Sequence, residues 1–236
     1  VLLSAGVEES QIMAKLQPIA TDMHALGNPW ISYSVYLNNS FLPGLLQLMI
    51  LLVTVFSIGS EMKRATSREW LRTADDSIII AITGKLIPQT IIFFSMGLLY
   101  LSLLYGYLHF PMHNSIWHMI FAMFLLVVAS QSFAVIIMCF APSLRIGLSV
   151  GGLVGVLSLS IAGFSFPVPA MYLPFQAISY VLPVRHYFLI YVDQALNGIP
   201  LYYSRVHYVA LILFAVASTP LLPRLKKALM RQVYVP

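Results

Sequence analysis

Charged side chains are concentrated in residues 61–74, a short stretch between two strongly apolar runs. The residues of this stretch that could contact a partner are Glu61, Lys63, Arg64, Thr66, Arg68, Glu69 and Trp70. Arg64, Arg68 and Arg72 recur at intervals of four, so a helix through them would place all three on one face. Such a face could bind a protein in the adjacent aqueous phase. The alternative is an interfacial helix whose arginines contact only anionic lipid.

The pair Gly84-Lys85 resembles the end of a phosphate-binding loop. A loop of the type GxxxxGK[ST] needs glycine at 79 and serine or threonine at 86, but these positions hold Ile79 and Leu86. We therefore expect no ATP site in this chain. Gly84, Lys85 and Pro88 are interpreted instead as the start of a membrane span. Lys85 would extend to the inner face, and Pro88 would lie in the first turn of the helix.

Three histidines, His109, His113 and His118, lie close together on the sequence. Imidazole is a common zinc ligand, but Pro111 interrupts helical spacing between the first two and no carboxylate lies nearby. A solvated loop is the favoured interpretation, and we predict no metal site. The single cysteine, Cys139, excludes a disulfide framework and a cysteine-based metal site.

The composition is that of a membrane protein. Charged residues make up 9% of the 236 residues, hydrophobic residues 59%, and the mean hydropathy is +0.86. A soluble domain usually carries about a quarter charged residues. The net charge of +5 could suggest a nucleic-acid partner, but the basic residues collect at the ends of apolar runs. The positive-inside bias of membrane proteins accounts for them better, so we expect contact with lipid and no nucleic-acid partner.

Five apolar segments predict an all-α, polytopic transmembrane helical bundle, with spans at about 41–60, 86–108, 116–140, 147–164 and 204–222. Ten of the 13 Lys and Arg residues lie in 61–85, 141–146 and the C-terminal tail, which places these segments in the cytoplasm. Residues 1–40 would then end an external segment, and 41–236 would form the transmembrane domain. Since the chain opens on Val1 without a signal peptide, we expect a sixth span to precede it in a longer parent protein.

The segment 165–202 is apolar but interrupted by prolines, and it contains two charged residues. Its candidate site residues are Pro167, Pro183, Arg185 and Asp193. The pattern predicts short external helices that enter the outer leaflet and return, which lipid permits only where protein covers the backbone. The alternative is an amphipathic loop on the outer surface.

Gly147, Gly151 and Gly155 recur every four residues, a spacing that lets helices approach closely. Packing within one chain is the simpler interpretation, and a dimer interface is the alternative. No span centre carries Asp or Glu, whereas proton- or sodium-coupled carriers usually need such groups at mid-membrane. This pattern favours an ATP-driven transporter over a secondary one.

Several short motifs together resemble the permease subunit of ABC transporters of the ABC-2 exporter type. In chain order they are Asn28-Pro29, Phe41-Leu42-Pro43-Gly44, Glu61, Ala65-Thr66, Trp70-Leu71, Gly84-Lys85-Leu86-Ile87-Pro88, Ala162-Gly163-Phe164-Ser165-Phe166-Pro167, Leu182-Pro183 and His186-Tyr187-Phe188. The resemblance covers nearly the whole chain from about residue 20. One departure is Ala65, where the family usually carries glycine.

The resemblance implies a membrane-spanning exporter subunit in which 61–74 is similar to the coupling helix gripped by an ATP-binding-cassette ATPase. That partner would bind ATP and Mg²⁺, and a second permease chain, identical or related, would complete the path. It further implies the bacterial inner membrane and a cytoplasmic C-terminus, and it leaves a periplasmic adaptor open. Two other classes remain as alternatives: a membrane-embedded enzyme using the external histidines or the Arg185–Asp193 region, and a non-transporting scaffold or sensor.

Overall fold

A computed structural model describes residues 33–231, and this part of the chain is helical, without strands. Its α-helices are α1 (Tyr33–Lys63), α2 (Ser67–Thr73), α3 (Ile78–Leu101), α4 (Ile116–Phe140), α5 (Leu144–Ile161), α6 (Leu173–Tyr180), α7 (Pro183–Tyr191), α8 (Leu201–Val216) and α9 (Leu222–Arg231). One-turn π-helical segments at Ser102–Tyr107 and Val192–Leu196 extend α3 and α7. Short 3₁₀ turns lie at Val168–Ala170 and Thr219–Leu221.

Five helical segments of residues 33–231 are long and apolar enough to cross a membrane: Tyr33–Lys63, Ile78–Tyr107, Ile116–Phe140, Leu144–Ile161 and Leu201–Arg231. The predicted all-α polytopic bundle is therefore confirmed for the part of the chain that the structure describes. The predictions on residues 1–32, including Asn28-Pro29, lie outside it.

The start of α3 differs from the sequence prediction. The helix begins at Ile78, where the Ser77 side chain accepts a hydrogen bond from the Ile80 backbone N–H. Pro88 consequently lies inside the helix, and its placement in the first turn was wrong. The helix begins with the apolar residues 78–82, which Thr83, Gly84 and Lys85 separate from the longer apolar run that suggested a start near 86.

The last span also differs from a single straight helix. Predicted as 204–222, it consists of α8, which ends at Val216, a 3₁₀ turn at Thr219–Leu221, and the first residue of α9. Pro220 and Pro223 each lack a backbone N–H, so they fit the first turn of a new helical segment and not the interior of a continuous one.

Helix α4 is the central element of the bundle. In its most apolar stretch of 18 residues, 67% of the residues are buried, against 22–44% in the other four membrane-spanning segments. It packs against α1, α3, α7 and α8. Because consecutive spans alternate in direction, α2, α9 and the short α4–α5 link lie at one end, here called the charged end. The α6–α7 region and the two π-helical segments lie at the opposite end.

The glycine stripe of α5 faces α1 of the same chain. A Cβ at Gly155 would overlap Leu48 Cδ1, and one at Gly147 would lie 2.9 Å from Val55 Cγ1. Gly151 is less crowded, since its nearest neighbour would be Val55 Cγ2 at 3.7 Å. The stripe thus provides close helix packing inside the chain.

Side-chain hydrogen bonds join neighbouring helices in the apolar interior. Thr54 on α1 donates to Gln89 on α3 (3.2 Å), and Thr90 on α3 donates to Gln131 on α4 (2.7 Å). Such bonds between membrane helices contribute about 0.6 kcal/mol each on average. They connect α1 and α3, which flank α2, to the centre of the bundle.

Candidate functional site

Helix α2 is a short helix that connects the end of α1 to the start of α3. Helix α1 ends at Lys63, and the chain turns through Ala65, whose φ is 59°. A second turn after α2 places Asp75 and Asp76 at φ values of 50° and 55° before α3 begins. Arg64 therefore lies in the first turn and not in α2, so the predicted single helical face containing Arg64, Arg68 and Arg72 was wrong. Only Arg68 and Arg72 share α2.

The inner side of α2 is fixed by one leucine. Leu71 has no solvent exposure and belongs to a buried cluster with Val55 and Ile58 of α1, Ala81 of α3 and Leu225 of α9. Burying a leucine side chain contributes about 2 kcal/mol. Since a helix of seven residues is not stable in isolation, this contact determines whether α2 keeps its position.

An ion pair ties α1 to α3 beneath α2. The Lys85 Nζ atom lies 2.6 Å from Glu61 Oε1 and donates to the Ser57 carbonyl at 2.8 Å. It also lies 4.4 Å from the centre of the Trp70 ring, and the Thr66 hydroxyl donates to the other Glu61 carboxylate oxygen. We call Glu61, Lys85, Thr66 and Trp70 the brace. Charge-assisted hydrogen bonds of this kind are about twice as strong as neutral ones.

The structure therefore divides the predicted docking residues into two groups. Glu61, Thr66 and Trp70 turn inward and join Lys85, which the sequence had assigned to a span start. The outward group comprises Lys63, Arg64, Arg68, Glu69 and Arg72, all exposed. We call these five residues the outer face. Gly84 lies on α3 with nothing within 4 Å of the position a Cβ would take, and Pro88 lies a turn beyond Lys85.

Helix α9 supports α2 from the side. Arg68 donates from Nη2 to the Met230 carbonyl at 3.2 Å, and Lys226 donates from Nζ to the Asp76 carbonyl at 2.5 Å. These contacts join α9 to Arg68 near the start of α2 and to Asp76 just after its end. This arrangement was not predictable from the sequence, because contacts across 150 residues or more leave no local pattern.

The residues predicted at the opposite end are held in local structural contacts. Arg185 is 8% exposed, donates to the Ala162 carbonyl at 3.1 Å and lies over the Tyr180 ring. Asp193 accepts a hydrogen bond from Ser204 Oγ at 3.0 Å. Pro183 is the first residue of α7, and Pro167 precedes a 3₁₀ turn. These contacts fasten α6 and α7 to the ends of α5 and α8.

A pair of histidines at the same end was not found from the sequence. His186 Nδ1 lies 3.4 Å from His207 Nδ1, and His186 Nε2 lies 3.0 Å from the Tyr180 carbonyl. Burial lowers the pKa of His186, so the ring is neutral at pH 7. Within residues 33–231 no three His, Cys, Asp or Glu side chains are placed to hold a metal ion. His113 is engaged with the Ala195 carbonyl at 2.9 Å.

Comparison with known proteins gives one result. A family profile described as ABC-2 family transporter protein matches residues 2–222. The chain belongs to the ABC-2 transporter family. No curated protein and no solved structure matches it.

Membership makes this ABC-2 protein the membrane component of an ABC transporter. Subunits of this family generally have no ATPase site of their own, and the family implies an ABC ATPase as partner. With five apolar helical segments in residues 33–231, the chain is a multi-pass membrane protein. The resemblance found from the sequence motifs is thereby confirmed at the level of the family.

Proposed function

We propose that this chain is the permease subunit of an ATP-driven exporter and that α2 is its coupling helix. The observation that carries the proposal is the two-sidedness of α2. Its outer face presents exposed arginines, whereas its inner side is fixed to α1 and α3 by Leu71 and the brace. A partner pressing on the outer face would therefore displace both flanking spans together.

In this proposal the ATPase binds ATP and Mg²⁺ and changes conformation as ATP binds and is hydrolysed. Its movement passes through α2 and the Glu61–Lys85 pair to α1 and α3, and then through Thr90 and Gln131 to α4. Such coupling needs an element that moves as a unit between two states. Two permease chains would form the transport path between them, each bound to one ATPase subunit.

The distribution of Lys and Arg residues supports an orientation in which the charged end faces the cytoplasm. The charged end carries ten of the 13 Lys and Arg residues, so it would face the cytoplasm of a bacterial inner membrane, with the C-terminus on that side. Export is expected because the motifs of the chain resemble those of exporters. The α6–α7 region would then lie at the external surface.

Two sets of substitutions separate binding from coupling. The outer-face variant R64A/R68A/R72A should lose the ATPase subunit on purification, because it removes the exposed cations. The brace variant E61Q/K85M should keep the ATPase but lose transport per ATP hydrolysed by roughly tenfold, since couplings of about 1–3 kcal/mol are typical. ATPase content, ATP hydrolysis and transport into inverted vesicles would be measured together.

The matched control is R145A, which removes an exposed arginine at the same end from α5. It should leave ATPase content and transport unchanged. An outer-face variant that retains both the ATPase subunit and full transport would show that α2 is not the coupling helix.

A further inference from the structure

A second feature of the charged end is a pocket of about 450 Å³ between the end of α4 and α9. It is lined by Met62, Cys139, Phe140, Pro142, Arg224, Lys227, Ala228 and Arg231. It shares no residue with the outer face of α2. The lining combines apolar side chains with three cations from one helix, α9.

The three cations follow from the register of α9. Positions 224, 227 and 231 are three and four residues apart, so they share one face of the helix. Leu222, Leu225 and Leu229 occupy the buried face. Along residues 33–231 the one ion pair is that of Lys85 with Glu61, so none of these cations has a carboxylate partner there. Of the residues that the structure describes, no Asp or Glu lines the pocket.

Phe140 places the pocket at the depth of the lipid headgroups. It is the last residue of α4, which is long enough to cross the membrane, and its side chain is 59% exposed. The Arg224 guanidinium lies 4.7 Å from the centre of its ring. An exposed aromatic ring at a membrane surface, beside cations that have no carboxylate partner among residues 33–231, matches the two parts of a phospholipid, one apolar and one anionic.

We propose that this pocket binds one anionic phospholipid. Arg224 and Lys227, with Arg231 at the mouth, would contact the phosphate, and Phe140 and Pro142 would contact the glycerol and upper acyl region. Charge complementarity favours an anionic over a zwitterionic headgroup, and the apolar side chains of the lining favour a lipid over a free phosphate ion.

The bound lipid would also stabilise the position of α9. This helix contacts both ends of α2 through the bonds from Arg68 to Met230 and from Lys226 to Asp76. A lipid wedged between α4 and α9 would therefore hold the lateral support of α2 in place. The proposal does not depend on the direction of transport or on α2 being the coupling helix.

The test is lipid binding to the purified full-length protein, measured by native mass spectrometry. Dioleoyl phosphatidylglycerol is titrated against the wild type, with dioleoyl phosphatidylcholine as the zwitterionic comparison and inorganic phosphate as competitor. The variant R224Q/K227Q should bind phosphatidylglycerol about thirtyfold more weakly, because two basic side chains are removed from the site.

The control R72Q/K226Q loses the same two charges at the same end of the molecule. Lys226 neighbours Lys227 on α9 but contacts Asp76 instead of the pocket, so the control should bind phosphatidylglycerol as the wild type does. If R224Q/K227Q does not fold, the single variants K227Q and K226Q provide the same contrast with about a fivefold difference.

Three outcomes would overturn the proposal: equal weakening by the two double variants, phosphatidylcholine binding as strong as phosphatidylglycerol binding, or displacement of the lipid by millimolar phosphate. Loss of the ATPase subunit from R224Q/K227Q with unchanged lipid binding would assign the surface to the ATPase instead. Failure of the α2 experiments above would leave the lipid result unaffected, so the two proposals can fail separately.

Discussion

At the scale of single residues, the turn between α1 and α2 depends on Ala65. Its φ of 59° lies in the left-handed region, which is unfavourable for residues with a Cβ by about 1–2 kcal/mol. The turn allows the Thr66 backbone N–H to donate to the Glu61 carbonyl at 3.0 Å, which brings Thr66 next to the Glu61 side chain. The strained residue thus positions the brace.

Replacing Ala65 with glycine should stabilise the protein. The relief of left-handed strain exceeds the extra conformational freedom of glycine in the unfolded chain, so we expect the free energy of unfolding to rise by about 0.5–1 kcal/mol. Unfolding in mixed detergent micelles would measure it.

Ala74→Gly is the matched control for that substitution, because Ala74 has a φ of −105° and a buried side chain. It should lower stability instead. Equal destabilisation by both substitutions would contradict the role assigned to the turn at Ala65.

The brace could be only half predicted from the sequence. Glu61, Thr66 and Trp70 were all predicted to contact a partner, and the helix expected through Arg64, Arg68 and Arg72 left no turn at Ala65. The partner Lys85 was assigned a different role, because pairing across 24 residues depends on how far α3 extends before position 85. That extension comes from the apolar residues 78–82, capped by Ser77, which Thr83, Gly84 and Lys85 separate from the longer apolar run.

At the scale of elements, α2 stays helical and in position because of its tertiary contacts and not because of the helix propensity of its seven residues. Leu71→Ala should therefore release it. Removing a buried leucine typically lowers stability by 2–5 kcal/mol, so amide exchange within 67–73 should accelerate at least about thirtyfold. Hydrogen exchange with mass spectrometry would measure this.

Thr73→Ala, an exposed position on the same helix, should leave the exchange rates of α2 unchanged. If Leu71→Ala also leaves them unchanged, the brace alone holds α2, and the buried cluster is not what fixes it.

The contact between α1 and α5 involves a glycine that the sequence pattern did not indicate. A Cβ at Gly59 would lie 2.9 Å from Leu144 Cα, a backbone atom that cannot rotate away. Gly59→Ala should therefore destabilise the bundle by about 1–3 kcal/mol through overpacking. Thermal unfolding of the purified protein would reveal the loss.

Gly151→Ala provides the comparison. Its Cβ would have only Val55 Cγ2 at 3.7 Å, which is ordinary contact, so stability should be unchanged or rise by up to about 1 kcal/mol. Destabilisation by Gly151→Ala as large as that by Gly59→Ala would show that α1 and α5 approach each other more closely at Gly151 than the structure has them.

At the scale of the whole molecule, hydropathy was enough to predict the class of fold. Five apolar segments gave a helical bundle, and the family assignment agrees with it. The ends of the helices were harder to predict from the sequence. Whether a helix continues through Pro88 or breaks near Pro220 depends on the neighbouring helices that pack against the backbone there. The support of α2 by α9 was not predictable, since it joins segments far apart in the chain.

The molecule thus has two structurally distinct ends, and half-buried hydrogen bonds join the spans between them. The charged end holds α2 with its outer face, and the opposite end holds α6 and α7 with the histidine pair. Between them, Thr54–Gln89 and Thr90–Gln131 connect three spans. If α2 is the coupling helix, the ATPase contacts only the charged end, and specifically α2.

Site-specific photo-crosslinking tests that requirement most directly. The photoreactive residue p-benzoylphenylalanine would replace Thr73, which is exposed beside the outer-face arginines, or Tyr172, which is 83% exposed at the opposite end. After irradiation of native membranes, we predict that the Thr73 variant becomes covalently joined to an ATP-binding-cassette ATPase, identified by mass spectrometry, and that the Tyr172 variant does not. Absence of the ATPase from the Thr73 product, or equal capture at both positions, would contradict the account.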